Sequence, residues 1–453
     1  MLNSRELNTT GKKLSANSNV FFNSKLVDDV FLKYVILSIG FSYFYNLPVL
    51  KYSAIGNNEF RLYDVAGVIV IFYYYAHFNF INFIIKKIKV FNWLRMLLNW
   101  IICTLPVSFY FYCYFGDLMS FIQSLLYLFH FYVFYLAAVL LFILNFKKIN
   151  IIFFINCILV FSICSCAIVI LQNFGIIPFL WSQVYYSNYQ GFLSGTLGPN
   201  KIVLGITSLI IFTLSIGVFL QKDFGINKTL NIITILLNIY IILIAGSRTT
   251  YVGLLLFLSY FAFMKTSKFL VFGLVFSFLS FAVLLIDDEI YNKIEKVVNG
   301  RVVNKVRKKE KLQDNNVADL YEDLGSGRSD LTAGNALYLL ENPAIIPFGA
   351  GFNNWLIGGG GKSAHNMYLQ VIKELGLVGF VFYFGWLMNF LLIDFRKYQG
   401  FSIALKGLVV TMLITLYFGE HLYIFRPVFA LLGLFLFVTT IFISILHNHE
   451  QSN

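Results

Sequence analysis

The chain has 453 residues, of which 58% are hydrophobic, 19% aromatic and only 12% charged. A soluble domain carries about 25% charged residues, so an ordinary water-soluble fold is excluded. The net charge of +12 would suit a nucleic-acid partner, but its placement argues against one: the basic residues sit in short clusters between apolar blocks. Many of those blocks reach the ~20 residues that cross a bilayer core.

Residues 1–28 are polar and lack the short apolar core of a cleavable signal peptide. The first apolar block, near Val30, therefore reads as an uncleaved anchor. Hydropathy predicts spans near 30–49, 64–85, 91–115, 119–146, 150–178, 200–220, 229–246, 250–264, 269–287, 367–393, 402–419 and 425–446. The expectation is an all-α polytopic membrane protein with about twelve transmembrane helices and one large loop containing short helices. Its parts are a tail over 1–28, helices 1–9 over 29–287, the loop over 288–366, helices 10–12 over 367–446 and a tail over 447–453. The five cysteines (Cys103, Cys113, Cys157, Cys164, Cys166) all fall in apolar blocks without ligand or disulfide spacing, as small packing residues do.

Lysine and arginine concentrate in alternate connections. Lys86, Lys87 and Lys89, then Lys147 and Lys148, Lys222 and Lys228, Lys265 and Lys268, and Arg396 and Lys397 share one side with Arg5, Lys12, Lys13 and Lys25. The other side holds Lys51, Arg61 and Arg248. Basic residues mark cytoplasmic loops, which puts both termini in the cytoplasm and the large loop opposite them. Within that loop, Ile290, Ile294, Val297, Val298, Val302 and Val306 recur near helical spacing among lysines and predict an amphipathic surface helix. A polar segment follows over 314–327. A second helix is expected over 329–341, with Ser329 as N-cap and Pro343 beyond its end.

Polar groups beside membrane spans are costly and are function candidates by default. Arg248, in Gly246-Ser247-Arg248-Thr249, sits at a tight turn between apolar blocks. It can snorkel to lipid headgroups or hold phosphate oxygens in bidentate fashion. Arg328 directly precedes a predicted helix, whose free N–H groups would reinforce an anion site; alone, it reads sooner as a surface-loop arginine. His365, in Ser363-Ala364-His365-Asn366, opens a span. There the helix dipole disfavours imidazolium and leaves a neutral ring able to accept a proton, while a structural histidine bonded to a loop carbonyl is the plainer alternative. Glu420, His421 and Arg426 cluster at the last outward turn, where ion pairing across the turn accounts for them.

Order and context say more than these residues do singly. Gly327-Arg328-Ser329, Glu341-Asn342-Pro343, Phe348-Gly349-Ala350-Gly351-Phe352, Ala364-His365-Asn366-Met367-Tyr368-Leu369-Gln370 and Glu374-Leu375-Gly376-Leu377-Val378-Gly379 follow one another in the order of the O-antigen polymerase/ligase family, which the chain resembles over roughly residues 190–390. Leu193-Ser194-Gly195-Thr196-Leu197-Gly198-Pro199-Asn200 and Ser247-Arg248 are similar to two further pieces. Where many relatives place a third basic residue before the Ser-Gly-Thr piece, this chain has Gln190-Gly191-Phe192-Leu193.

The resemblance implies a glycosyltransferase (GT-C-like) of the bacterial inner membrane, its large loop periplasmic. The donor would be a glycan on undecaprenyl diphosphate, and the reaction inverting, with no metal and no cofactor. Arg248 and Arg328 would hold the diphosphate and His365 the acceptor hydroxyl, with Asn366, Asn200, Tyr368 and Arg426 as substrate-binding residues. Partners would be the lipid-linked oligosaccharide, membrane lipid and a candidate chain-length regulator, and no nucleic acid. A polymerase joins the glycan to another lipid-linked repeat unit of O-antigen or capsule, whereas a ligase joins it to lipid A–core. The Phe-, Tyr-, Asn-, Ile- and Lys-rich composition, typical of AT-rich polysaccharide clusters, favours the polymerase. A lipid-linked oligosaccharide flippase is a third possibility, but transporters carry cargo sites near the midplane of repeated halves, and no repeat is visible.

Overall fold

The computed structural model describes residues 26–46, 48–51, 59–178, 180, 193, 195–198, 201–221, 224–265, 328–354, 364–393, 398–422 and 430–451, without the side chains of 48–51, 59, 328–330 and 448–451. The protein is an all-α polytopic membrane protein. Its described helices are α1 (Val30–Ser42), α2 (Leu62–Ala76), α3 (Phe78–Lys87), α4 (Lys89–Tyr114), α5 (Leu118–Leu144), α6 (Lys148–Asn173), α7 (Lys201–Leu220), α8 (Lys228–Ala245), α9 (Arg248–Met264), α10 (Arg328–Glu341), α11 (Met367–Leu391), α12 (Gln399–Thr415) and α13 (Leu431–Gln451). Among the described residues seven helices are long and apolar enough to cross a bilayer, or up to eight if the bent pair α2/α3 is one span; Val30–Ser42, Arg248–Met264 and Leu431–His447 are shorter apolar helices. The predicted span at 269–287 and the amphipathic helix from Ile290 lie outside the described residues.

Helices α5, α7 and α13 form the centre. From Val133 to Leu144 every residue of α5 is buried, as is every residue of α7 from Val203 to Val218. A helix apolar on all sides belongs in the interior of a bundle. Around them α8, α9 and α12 pack on α7, while α2 and α4 pack on α5 and α11 packs on α4. In hydrocarbon the association of helices rests on close packing rather than on the hydrophobic effect. Gly253 shows this: a Cβ there would sit 2.7 Å from Leu209 and 3.3 Å from both Thr411 and Thr415, so α9 lies tight against α7 and α12.

Three predicted spans differ in shape. The expected helix over 30–49 ends at Ser42, where the chain turns so that Asn46 can bond residues 196 and 197; a short antiparallel pair, β1 (Pro48–Lys51) with β2 (Glu59–Arg61), follows. The run over 64–85 is two helices bent by 92° at His77. In α3 only Ile81, Ile84 and Ile85 are buried and Lys86 and Lys87 close the helix, an amphipathic pattern that overall hydropathy hides. The third is α11, broken inside its own length at Gly376 (φ 68°, ψ −174°).

The break at Gly376 sets the architecture of the site. In an unbroken helix the N–H groups of Leu377 and Val378 would bond the carbonyls of Lys373 and Glu374. Here those carbonyls accept from Ala350 N (2.9 Å) and Gly351 N (2.9 Å), and Leu377 and Val378 donate to Ile346 O (2.8 Å) and Pro347 O (3.4 Å). Backbone groups freed at membrane depth must find partners inside the protein, and the 346–351 segment supplies all four. It is held from the other side by Ser108 Oγ, donating to Phe352 O at 2.8 Å, and by Tyr112 Oη, donating to Asn353 O at 2.5 Å, both from α4. The approach is close enough to require glycine: a Cβ at Gly349 would lie 2.2 Å from Glu374 O, and one at Gly376 2.4 Å from Pro347 O.

Candidate functional site

His365 lies between two anchored neighbours. Ala364 donates its N–H to Gln370 Oε1 (3.1 Å) and accepts at its carbonyl from Thr332 Oγ1 (2.9 Å). Asn366 is the N-cap of α11, its Oδ1 accepting from the N–H groups of Tyr368 (3.0 Å) and Leu369 (3.2 Å). Both neighbours are buried, whereas the histidine between them is half-buried. Its backbone is left-handed (φ 50°), as it is at only three non-glycine positions among the described residues. That conformation is uncommon for side chains other than Asn, Asp and His, and costly elsewhere.

The helix that Arg328 opens is fastened to the same place. Thr332, one turn into α10, makes the bond to Ala364 just described, and Asn335 accepts at 3.0 Å from the buried ammonium of Lys373 on α11. Arg328 is itself the first residue of the helix, which starts ahead of the expected N-cap Ser329, and its side chain lies outside the described residues. Arg248 is exposed at the first position of α9, behind the N-cap Ser247 and a left-handed Gly246 (φ 61°, ψ 28°) that ends α8.

The helices that open at Arg248 and after His365 both reach the end of α12. Tyr368 donates its hydroxyl to Leu413 O, which holds the start of α11 there. Gly253, little more than one turn beyond Arg248, packs on Thr411 and Thr415 of the same stretch. Thr415 Oγ1 in turn meets His421 Nε2 at 3.1 Å. Burial pushes the His421 imidazole down to a pKa of about 3, so that ring is neutral and enters through this hydrogen bond rather than through the ion pair expected of it. Glu420 beside it is buried. Asn200 and Arg426 lie outside the described residues. Of the Ser-Gly-Thr piece, Gly195 N bonds Gln172 Oε1 at 2.9 Å, and Thr196 Oγ1 bonds Phe44 O at 2.5 Å, so this segment seats on the ends of α6 and α1.

A family model described as O-antigen ligase matches residues 233–384. The match covers about a third of the chain and supports the O-antigen polymerase/ligase family. No curated protein and no solved structure matches it. The matched region runs from α8 through the break of α11 and contains Arg248, Arg328, His365, Asn366 and Tyr368. The match supports a glycosyltransferase-type activity for this integral membrane protein.

Several residues escaped sequence reading. Glu374 and Gly376, noted only as motif letters, are the buried acid and the break on which the loop docks. Gln370 too is only a motif letter, and Lys373 draws no notice in its apolar run, until Ala364 and Asn335 are brought to them by the fold. Outside the matched region, His130 Nε2 lies 2.5 Å from Asp64 Oδ1, the two side chains 0% and 2% exposed. Arg61, which reads as a loop residue, is buried and donates Nε–H to Asn46 O at 3.2 Å. Asp64 precedes an apolar block and His130 is embedded in one; no local pattern pairs them. Among the described residues no three His, Cys, Asp or Glu side chains gather as a metal site requires.

Proposed function

We propose that the protein is an O-antigen or capsular polysaccharide polymerase, which transfers an undecaprenyl-diphosphate-linked glycan to a hydroxyl of another lipid-linked repeat unit, with inversion and without a metal. The observation that carries the reading is that the three helices are tied together, α10 through Thr332 to the carbonyl of Ala364 beside His365, and α9 and α11 on the same stretch of α12, with Arg248, Arg328 and His365 all inside the region that matches the family.

The chemistry suits those groups. The acceptor oxygen attacks the anomeric carbon as the carbon–oxygen bond to diphosphate breaks, and the diphosphate leaves with the electron pair. Guanidinium groups at Arg248 and Arg328 would stabilise that charge in fixed geometry. The hydroxyl proton passes to the imidazole of His365, whose half-buried ring at a helix N-terminus favours the neutral, accepting form. Tyr368 and Asn366 shape the entry to α11 beside it, and Asn200 and Arg426 complete the substrate-binding set in this reading.

The second reading, transfer of the glycan to lipid A–core, has in its favour that the matching family model is described as O-antigen ligase; the AT-rich composition favours polymerisation. In either reading the enzyme sits in the inner membrane, with residues 288–366 periplasmic and both termini cytoplasmic. A cysteine placed in 288–327 that reacts only from the cytoplasmic side would sink both. Cells lacking the gene decide between them. A polymerase deletion leaves core plus a single repeat unit, and a ligase deletion leaves bare core with lipid-linked polymer accumulating. His365→Ala is expected to lower transfer by about 100-fold or more while the protein still inserts; a fully active variant removes the base from the mechanism.

A further inference from the structure

The left-handed backbone at His365 is held by a chain of hydrogen bonds whose polarity admits one arrangement. Asn353 N–H, which can only donate, gives to Glu374 Oε2 at 2.8 Å. The other carboxylate oxygen accepts from Gln370 Nε2 at 2.5 Å. With its amide nitrogen committed to an acceptor, Gln370 turns its oxygen to Ala364 N–H, again a group that can only donate, at 3.1 Å. Ala364, Gln370 and Glu374 are 0%, 3% and 1% exposed, so water does not replace a lost partner, and a buried unsatisfied polar group costs about 1–3 kcal/mol. The carbonyl of Ala364 accepts from Thr332 Oγ1 on the Arg328 helix, and Gln370 N–H returns to Asn366 O at 3.0 Å.

We propose that Glu374, acting through Gln370, is a positioning residue for His365: it fixes the carboxyl-to-amide-to-backbone relay that places the imidazole, and Thr332 ties the same point to the helix that Arg328 opens. The proposal rests on the reading of His365 as the base. Glu374 touches no reacting atom. Its carboxylate is needed because two donors converge on it and only an acceptor at both oxygens lets Gln370 present its own oxygen to Ala364.

That requirement yields a polarity exchange. Glu374→Gln places an amide nitrogen against the Gln370 side chain, which must turn over and leave two N–H donors facing each other at Ala364. Gln370→Glu sets two carboxylates against each other. The double variant Gln370→Glu/Glu374→Gln restores every donor–acceptor pair with the direction of the middle bond reversed and the net charge unchanged.

The test uses the full chain in lipid nanodiscs with a lipid-linked repeat unit as substrate. Each single variant is expected to lose about 100-fold in kcat, the scale of a ~1 Å misplacement, with KM for the lipid-linked donor unchanged; the double variant returns to within a few-fold of wild type. In parallel, the rate of diethyl pyrocarbonate modification of His365, read by mass spectrometry, reports the ring's setting whatever reaction the protein catalyses. It is expected to shift several-fold in the singles and to return in the double. Thr332→Val, which removes one donor without changing volume, should give a smaller fall in kcat and serves where a carboxylate variant does not fold. Wild-type modification rates and kcat in Glu374→Gln overturn the proposal, as does a well-folded double variant no better than either single. If the modification pattern follows the exchange but His365→Ala transfers glycan normally, the relay stands and the reading of His365 as base falls.

Discussion

At the turn before Arg248 the left-handed residue is Gly246, and a Cβ there would meet nothing within 4 Å. At the turn before α11 the left-handed residue is the histidine itself, between neighbours whose backbone or side-chain groups are bonded into the buried interior. Both turns deliver a basic side chain to the N-terminus of a capped helix, yet one is compliant and the other is pinned. The difference matches what each group is asked to do in the proposed reaction. A guanidinium gripping diphosphate tolerates small shifts because its long side chain and forked donors adapt. A base must sit within hydrogen-bond reach of one particular proton, and a short side chain on a pinned backbone achieves that.

The comparison breaks most severely at the docking surface behind His365. Gly376→Ala forces a side chain into a backbone region that is essentially glycine-only and against Pro347 O at 2.4 Å. We expect a loss of more than about 3 kcal/mol, seen as a sharp drop in the yield of inserted, monodisperse protein; near-normal yield would mean that the loop does not dock there. Arg248→Ala should leave folding unchanged and weaken transfer by about 1.5–3 kcal/mol, the worth of charged hydrogen bonds, or roughly ten- to a hundredfold. Arg248→Lys should recover only part of this, because it restores charge without the fork. Equal activity of Arg248→Ala and wild type would return the residue to a lipid-headgroup role. The mildest change is Gly246→Ala. With open space around it, only the left-handed backbone is penalised, about 1 kcal/mol, and a thermal shift of a few degrees with activity retained is expected. A collapse there as deep as that of Gly376→Ala would erase the contrast between the two turns.

Much of the bundle was legible in the chain because lipid imposes a simple rule: backbone groups must be satisfied locally, so about twenty apolar residues in a row become a helix. The caps were less legible: Ser329 was the one expected, whereas Ser247 and Asn366 are the ones that accept from N–H groups two or three residues ahead. What summed hydropathy hides is direction. It could not show that 62–87 bends by 92°, because the one-sided burial of α3 depends on what lies beside it. Nor could it pair His130 with Asp64, sixty-six positions away in the numbering.

By itself the sequence determined a helical membrane protein, its basic and apolar alternation, and the order of motifs in which it resembles the O-antigen polymerase/ligase family; each of these is written in short stretches or in their succession. Only the tertiary structure decided that Gly349, Gly351 and Gly376 are one interlock, that Lys373 answers Asn335, and that Glu374 reaches Ala364 through Gln370. The physical reason is that hydrogen-bond partners of a broken helix are chosen by whatever backbone arrives at the break. That arrival is a property of how α4, α10 and α11 pack, not of any window of residues.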